Sequence, residues 1–262
     1  MPIHSTDISL SLQGASSEIA VITLNRPAKR NALNDGLILA IRDMFQAMPH
    51  GVRAAVIHGS GDHFCAGLDL SELSERDAGQ GLHHSRMWHS ALECVQYGPV
   101  PVVAALHGAV VGGGLELAST CHIRVADESA FFALPEGSRG IFVGGGGSVR
   151  IPRLIGAARM ADMMFTGRVY KAAEAERVGL TQYLVPQGTA LEKAMELAAR
   201  IAQNAPLTNY ALMHALPRIA EQPADQGYLT EAMMAAIAQS DPEAKSRVRA
   251  FLEGRANKVS KD

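Results

Sequence analysis

Gly108-Ala109-Val110-Val111-Gly112-Gly113-Gly114-Leu115-Glu116-Leu117-Ala118-Ser119 follows an apolar run, Pro101 to Leu106, that reads as a buried strand. The chain then passes through three consecutive glycines into a segment of helical composition. Glycine gives up the most backbone freedom on folding; what it permits in return is close approach of the main chain to another atom. The N–H groups at a helix N-terminus are unpaired, and the helix dipole favours negative charge beside them. The stretch therefore reads as a strand-to-helix turn able to hold an anion or a polarised carbonyl oxygen, with Glu116 one turn in and aimed at the same place. An acid in the first turn is also an ordinary helix start, so the chemistry depends on what surrounds it. Phosphate-binding patterns fit poorly, because there is no Gly-Lys-Ser/Thr ending and Gly112-Gly113-Gly114 is not Gly-x-Gly-x-x-Gly.

Outward from this turn, short apolar runs alternate with helical patterns. Glu18 to Asn25 reads as a strand stopped by Arg26-Pro27. The spacing of Leu37, Ile38, Ile41, Phe45 and Met48 predicts a helix over 34–48, with Asn34 or Asp35 as its N-cap. Val52 to His58 is the next buried strand. A helix carrying Met87, Trp88, Leu92 and Val95 follows Gly79-Gln80-Gly81, and Ile123–Ala126 and Ala130–Leu134 are further strands. Such alternation implies an α/β architecture. From about Ala190 the texture changes to successive helices, 191–203, 208–221, 225–239 and 242–255, separated by Pro206, Pro223 and Pro242. The expected division is an α/β core over residues 1–190 and a helical region over 191–262. So apolar a helical annex suggests an interface between copies of the chain, or else a lid within it.

The 262 residues are 47% hydrophobic and 19% charged with a net charge of −2, which suits a large globular domain. There is no long basic run, so neither nucleic acid nor an anionic membrane is the expected partner. The three cysteines, Cys65, Cys94 and Cys121, show neither Cys-x-x-Cys nor zinc spacing. That argues for a reducing compartment and against a disulfide framework or a structural metal. No apolar stretch reaches the roughly 18 residues of a membrane span. The opening, Met1-Pro2-Ile3-His4-Ser5-Thr6-Asp7, lacks a basic n-region and an apolar h-region. A cytoplasmic location is the expectation.

Three other stretches carry possible chemistry. Phe64-Cys65-Ala66-Gly67-Leu68-Asp69-Leu70 is a second small-residue turn after a strand, whose backbone near Ala66 can supply another donor. Phe132-Ala133-Leu134-Pro135-Glu136-Gly137 places Glu136 in a loop stiffened by proline. Two carboxylates such as Glu116 and Glu136 can hold one water between them and differ in protonation, one as base and one as acid. Asn25-Arg26-Pro27-Ala28-Lys29-Arg30-Asn31-Ala32-Leu33 puts three cations in a strand-end loop, where they can meet a phosphate.

Taken in order, these four stretches resemble the enoyl-CoA hydratase/isomerase (crotonase) family, over nearly the whole chain from Ile19 to Phe251. The resemblance implies a spiral of β-β-α units, with C-terminal helices that pack trimers often paired into hexamers. It implies an acyl-CoA thioester as substrate and no metal or redox cofactor, coenzyme A being part of the substrate. Its catalytic acids map onto Glu116 and Glu136, and its oxyanion donors onto the backbone N–H groups of Ala66 and Gly113. Substrate and CoA contacts are implied for Ala28, Lys29, Arg30, Ala66, Leu68, Asp69, Leu70 and Gly112. One departure stands out. Where relatives often carry a proline after the Gly-Ile or Gly-Leu beyond the second acid, this chain reads Gly140-Ile141-Phe142-Val143-Gly144-Gly145-Gly146-Gly147, which implies a mobile or unusually shaped wall to the acyl pocket.

Among reactions of this family, an isomerase often uses one carboxylate, so the presence of both acids favours hydration. Thioesterase and C–C hydrolase chemistry are the alternatives, and hydration followed by thiohemiacetal collapse is open to a substrate bearing a β-sulfur. A non-catalytic RNA-binding relative would need clustered Lys and Arg, whereas here they are scattered.

Overall fold

The structure, a computed structural model, describes residues 6–72 and 75–255. Met1 to Ser5, part of the opening stretch read for a leader, lie outside the described residues. Two strands begin the fold: β1 (Ile8–Gln13) runs antiparallel to β2 (Ile19–Leu24). β1 is not apparent in the sequence because it is an edge strand, with Ser9, Ser11 and Gln13 in a mostly exposed run. From β2 the sheet is parallel, through β3 (Ala54–Gly59), β4 (Val102–Leu106), β6 (Ile123–Asp127) and β9 (Tyr183–Val185), in the order β1-β2-β3-β4-β6-β9. Both faces of the central strands are covered, which is why they read as continuous apolar runs.

Helix α1 (Asp35–Gln46) joins β2 to β3, and Asn34 caps it by accepting from the Leu37 N–H at 2.8 Å. Its apolar spacing buries Leu37, Ile38, Ile41, Met44 and Phe45. Helix α2 (Ala78–Gln96) joins β3 to β4 and opens with a reciprocal cap between Asp77 and Gln80, so the helix begins ahead of the Gly79-Gln80-Gly81 stretch. A second, three-stranded sheet is built from β5 (Ala109–Val111), β7 (Phe131–Ala133) and β8 (Tyr170–Lys171). β5 hides between two glycines and is too short to show a period. Single bridges at Leu33–Leu68 and Cys65–Val110 extend the same layer into earlier turns of the chain. Successive turns thus give one strand to each layer and then a helix: β4, β5 and α3 (Gly113–Thr120), then β6, β7 and α4 (Gly147–Ile155). This is the β-β-α spiral. α5 (Ala157–Thr166) and α6 (Ala172–Arg177) follow before β9.

Helix α7 (Ala190–Ala202) covers the other face of the large sheet. Its Ala190, Ala194, Leu197 and Ala198 pack against Ile19, Val21, Val56, Val103 and Val125. The compact units are accordingly Met1–Ala202 and Gln203–Asp262, so α7 belongs to the core and the expected boundary at residue 190 falls one helix too early. The second unit contains α8 (Pro206–Tyr210), α9 (Leu216–Ile219), α10 (Ala224–Ser240) and α11 (Pro242–Leu252). The expected helix over 208–221 is interrupted by a π-turn at Ala211–Ala215, just before Pro217, which has no N–H to donate to the preceding turn. Among the described residues no helix is long and apolar enough to cross a membrane.

Candidate functional site

The triple glycine does what its position allows. Gly112 N–H donates to the Ala133 carbonyl at 2.9 Å, tying α3 to the end of β7, and its φ of 53° lies in the left-handed region. A Cβ on Gly112 would stand 2.7 Å from Glu136 Oε1, and one on Gly114 would stand 2.4 Å from the Cys65 carbonyl oxygen. Glycine here is a steric requirement of two close approaches. α3 then starts with the Gly113 N–H unspent, and the next turn of the spiral brings Glu136 over its N-terminus.

The two glutamates line one cavity of about 350 Å³, together with Leu68, Trp88, Gly113, Phe142 and Val143. Both are buried, Glu116 at 4% and Glu136 at 7% exposure, yet they are held in opposite ways. Glu116 Oε1 accepts two backbone N–H groups, from Gly145 and from Gly147, each at 2.8 Å. The four consecutive glycines are therefore a cradle for a carboxylate: a Cβ on Gly147 would lie 2.8 Å from Glu116 Cγ. Glu136 Oε2 is buried without a hydrogen-bond partner among the described residues. An orphaned buried oxygen of this kind calls for a ligand or water.

Electrostatics follow from those environments. Burial pushes the Glu136 carboxyl up to about 7, with the Glu116 charge adding to the rise. Burial also raises the Glu116 carboxyl, while the Gly147 and Gly145 amides and the Arg150 guanidinium pull against it. Hydrogen bonds to the charged form favour ionisation, so of the two we assign the charge to Glu116 and the proton to Glu136, within a pair that titrates together. The sign for stability is fixed by this rise. A carboxyl whose folded pKa exceeds its unfolded value costs stability as pH climbs from about 4.5 through about 7, because only the folded state then resists ionisation. Glu136→Gln is thus expected to raise the melting temperature at pH 8 and to leave it nearly unchanged at pH 4. Melting curves at the two pH values measure the difference.

The second backbone donor is not the expected one. The Ala66 N–H is spent on the Arg30 carbonyl at 2.9 Å. The bridge from Leu33 to Leu68 uses the Gly67 carbonyl and the Asp69 N–H, and leaves the intervening Leu68 N–H free on the opposite edge. Leu68 and Gly113 both line the cavity, and a Cβ on Gly113 would fall 3.5 Å from the Leu68 nitrogen. Among the described residues, the N–H groups of Leu68 and Gly113 are thus both unspent and both at this cavity. Gly67, at φ 96°, allows this, since a Cβ there would sit 2.7 Å from the Val111 carbonyl oxygen. The Ala66 amide is consumed by the Arg30 carbonyl, whereas the Leu68 amide, in the same peptide as the Gly67 carbonyl that accepts from Leu33, points away from that bridge.

The cationic loop divides its labour. Arg26 reaches Asp69 at 2.9 Å and the Ala32 carbonyl at 2.6 Å, and Lys29 reaches the same Asp69 oxygen at 2.9 Å. These contacts hold the Asp69 carboxyl well below the usual carboxylate range. Asp69 thus organises the loop by its side chain, which is buried. Arg30, exposed and at φ 50°, has no side-chain partner among the described residues. Ala28 and Leu70 are exposed on the same rim. Cys65 and Cys121 are buried, and burial pushes both thiols up to about 12, so they are inert core groups.

In the sequence, Trp88 reads only as part of a helix core and Ser85 carries no signal. Both face the cavity from α2, with Trp88 Nε1 donating to Asp35 at 3.0 Å. α2's apolar spacing marks a buried face without showing that part of this face meets a cavity.

Known proteins resemble this chain over almost its whole length. The family model for enoyl-CoA hydratase/isomerase matches residues 14–261. The chain is 33% identical to enoyl-CoA hydratase EchA19 of Mycobacterium tuberculosis over 244 residues, covering 90% of this chain and 91% of that one. It is also 33% identical to the 2,3-dehydroadipyl-CoA hydratase of Escherichia coli over 241 residues, covering 90% and 93%. Among solved structures, a Rhodopseudomonas palustris CGA009 protein provisionally described as an enoyl-CoA hydratase is 61% identical with a TM-score of 0.92, covering 95% of each chain. With its spiral fold, its paired acids and a match spanning nearly every residue, the chain belongs to the enoyl-CoA hydratase/isomerase family.

Proposed function

We propose that this chain is an enoyl-CoA hydratase, adding water across the α,β-double bond of a short acyl-CoA thioester. The observation that carries the reading is the contrast between the two acids: one cradled by two amides, the other buried with an unpartnered oxygen, both on one cavity. In this reading the thioester oxygen takes the Leu68 and Gly113 N–H groups. Water sits between the acids. Glu116 accepts a proton from the water as its oxygen bonds to Cβ, and the π electrons move toward the thioester, giving an enolate held by the two amides. Glu136 then gives its proton to Cα. Each such preorganised donor is worth roughly 2.7–4 kcal/mol in comparable sites. No step calls for a metal or redox cofactor, and coenzyme A enters as part of the substrate. Arg30 and Lys29 are proposed to meet its phosphates, with the backbone at Ala28, Leu70 and Gly112 along the same path.

For the acyl group we propose methylthioacryloyl, because the sequence around Ala104–Arg150 and at Leu207-Thr208-Asn209 resembles methylthioacryloyl-CoA hydratase. Water added beside a β-sulfur opens a route to thiol loss and thioester hydrolysis. The test is loss of enoyl absorbance with crotonyl-CoA and with methylthioacryloyl-CoA, with free thiol followed in parallel. Turnover of crotonyl-CoA without thiol supports plain hydration. Turnover of neither, with double-bond migration in a 3-enoyl-CoA, would make the chain a one-base isomerase.

The C-terminal helices support a homo-trimer or hexamer. Tyr228, Leu229 and Met233 on α10, and Phe251 and Leu252 on α11, are each more than half exposed, a large apolar area for a single chain. Sedimentation at micromolar concentration is expected to give a mass of three or six chains, and a monomer mass would refute it. A cytoplasmic location is proposed with this, on the three unpaired thiols.

A further inference from the structure

The carboxylate cradle is itself held from outside. The Gly145 N–H that donates to Glu116 belongs to the peptide whose carbonyl is that of Gly144. That carbonyl accepts the Ser85 Oγ–H at 2.7 Å. The Gly147 N–H belongs to the peptide whose carbonyl is that of Gly146, and this oxygen accepts from Val149 at 3.1 Å and Arg150 at 3.2 Å in the first turn of α4. Between them, the Gly145 carbonyl accepts from Arg150 Nη1 at 2.8 Å. Every peptide of the cradle is pinned through its oxygen, although glycine alone leaves each free to rotate.

The two donor peptides differ in what pins them. The Gly147 peptide is fixed by helix geometry, which any sequence that forms α4 supplies. The Gly145 peptide depends instead on side chains that reach across from α2, Ser85 through its hydroxyl at 2.7 Å and His89, whose ring also bonds to the Gly144 backbone. His89, one helical turn along, places Nε2 3.3 Å from Ser85 Oγ and limits the rotamers open to that hydroxyl.

We propose that Ser85 is a positioning residue for Glu116: by holding the Gly144 carbonyl it orients and polarises the Gly145 N–H that stabilises the ionised carboxylate. A hydroxyl, a peptide and a carboxylate in series form a chain in which each hydrogen bond strengthens the next. This inference rests on the reading of Glu116 as the base that activates water. Because Ser85 also lines the cavity, the rival role is direct contact with the acyl group, and the two differ in what they change.

The experiment compares Ser85→Ala and Ser85→Thr with the parent enzyme, measuring kcat, KM and the pH dependence of kcat for crotonyl-CoA, with melting curves at each step. Ser85→Ala is expected to lower kcat about fivefold to tenfold, the size of one weakened hydrogen bond, with KM unchanged. The acidic limb of kcat should move to higher pH, because a carboxylate that loses a donor is harder to ionise. Ser85→Thr, which keeps the hydroxyl, should return the limb toward its original position. A raised KM with an unmoved limb would make Ser85 an acyl contact and overturn the proposal, as would a fall in kcat that merely tracks a lower melting temperature. If the parent enzyme itself hydrates no enoyl-CoA, the functional reading fails, which is a different result from an active parent indifferent to Ser85→Ala.

Discussion

Glu136→Gln is expected to lower kcat for enoyl-CoA hydration by roughly 10²–10⁴-fold, the range a positioned acid or base contributes, with little change in affinity for the CoA thioester. The amide keeps the size of the side chain, so the cavity keeps its shape. What disappears is the proton that the raised carboxyl holds near neutral pH. Glu116→Gln should be at least as damaging for a further reason. Its Oε1 already accepts two N–H groups, and turning the amide to keep an oxygen there would point its NH₂ at the water, offering donors where an acceptor is needed. If both acids act on one water, the double variant loses far less than the product of the two single losses, since residues that work as a unit are not additive. Steady-state kinetics on the three variants decides it. Near-normal hydration by Glu136→Gln beside a dead Glu116→Gln would overturn the two-acid mechanism.

Gly147→Ala is the second large effect, although it adds one methyl group and removes no functional atom. The new Cβ would meet Glu116 Cγ at 2.8 Å and Oε1 at 2.9 Å. Both are too close, so the carboxylate must move away from the cradle by several tenths of an ångström or more. Misplacing a reacting group by about 1 Å can cost around 10²-fold in rate, and a loss of that order in kcat is expected with KM nearly unchanged. Gly147 has no left-handed backbone to strain, so melting should shift little. Gly36→Ala on α1 serves as the contrast, because its Cβ would find only Asn34 Oδ1 at 3.6 Å. There the expected result is full activity and a slightly firmer helix. Equal activity of Gly147→Ala and the parent would show that Glu116 does not need its cradle.

How much of this was legible in the residues depends on the length of the pattern that carries each part. The central strands and α1 announce themselves because burial on both faces, or on one stripe, repeats over five residues or more. β5 and β8 are two or three residues long, too short for a period, whereas the equally short β7 lies within the strand expected at Ala130–Leu134. The boundary after α7 was misplaced because that helix looks like its successors in composition, and only its contacts with the sheet assign it to the core. Glu116 and Glu136 were visible through their turns. Ala66 stands out as a donor because small residues draw attention to close approach, whereas donor capacity is set by which amide is left unbonded. Leu68 carries no such mark. The glycine run at 144–147 looked like slack in a pocket wall. It is tight because the atom it accommodates, Glu116 Oε1, lies some thirty positions away in the chain and can be found only in space.

The spiral has a consequence for how such an enzyme can change. Each revolution brings a different implement to the same rim: the first the Arg30 cation, the second the Leu68 amide, the third the Gly113 amide with Glu116, the fourth Glu136 and then the glycine cradle. Most sit at the tip of their own revolution, just past a strand, while the buried layers below are shared. A substitution at one tip therefore acts first on the group that tip carries and leaves the shared layers standing. On the proposed reading, the thioester grip and the pair of acids that handles water belong to different revolutions on a common spindle, so a chain of this kind could lose or exchange a reaction without losing its hold on coenzyme A.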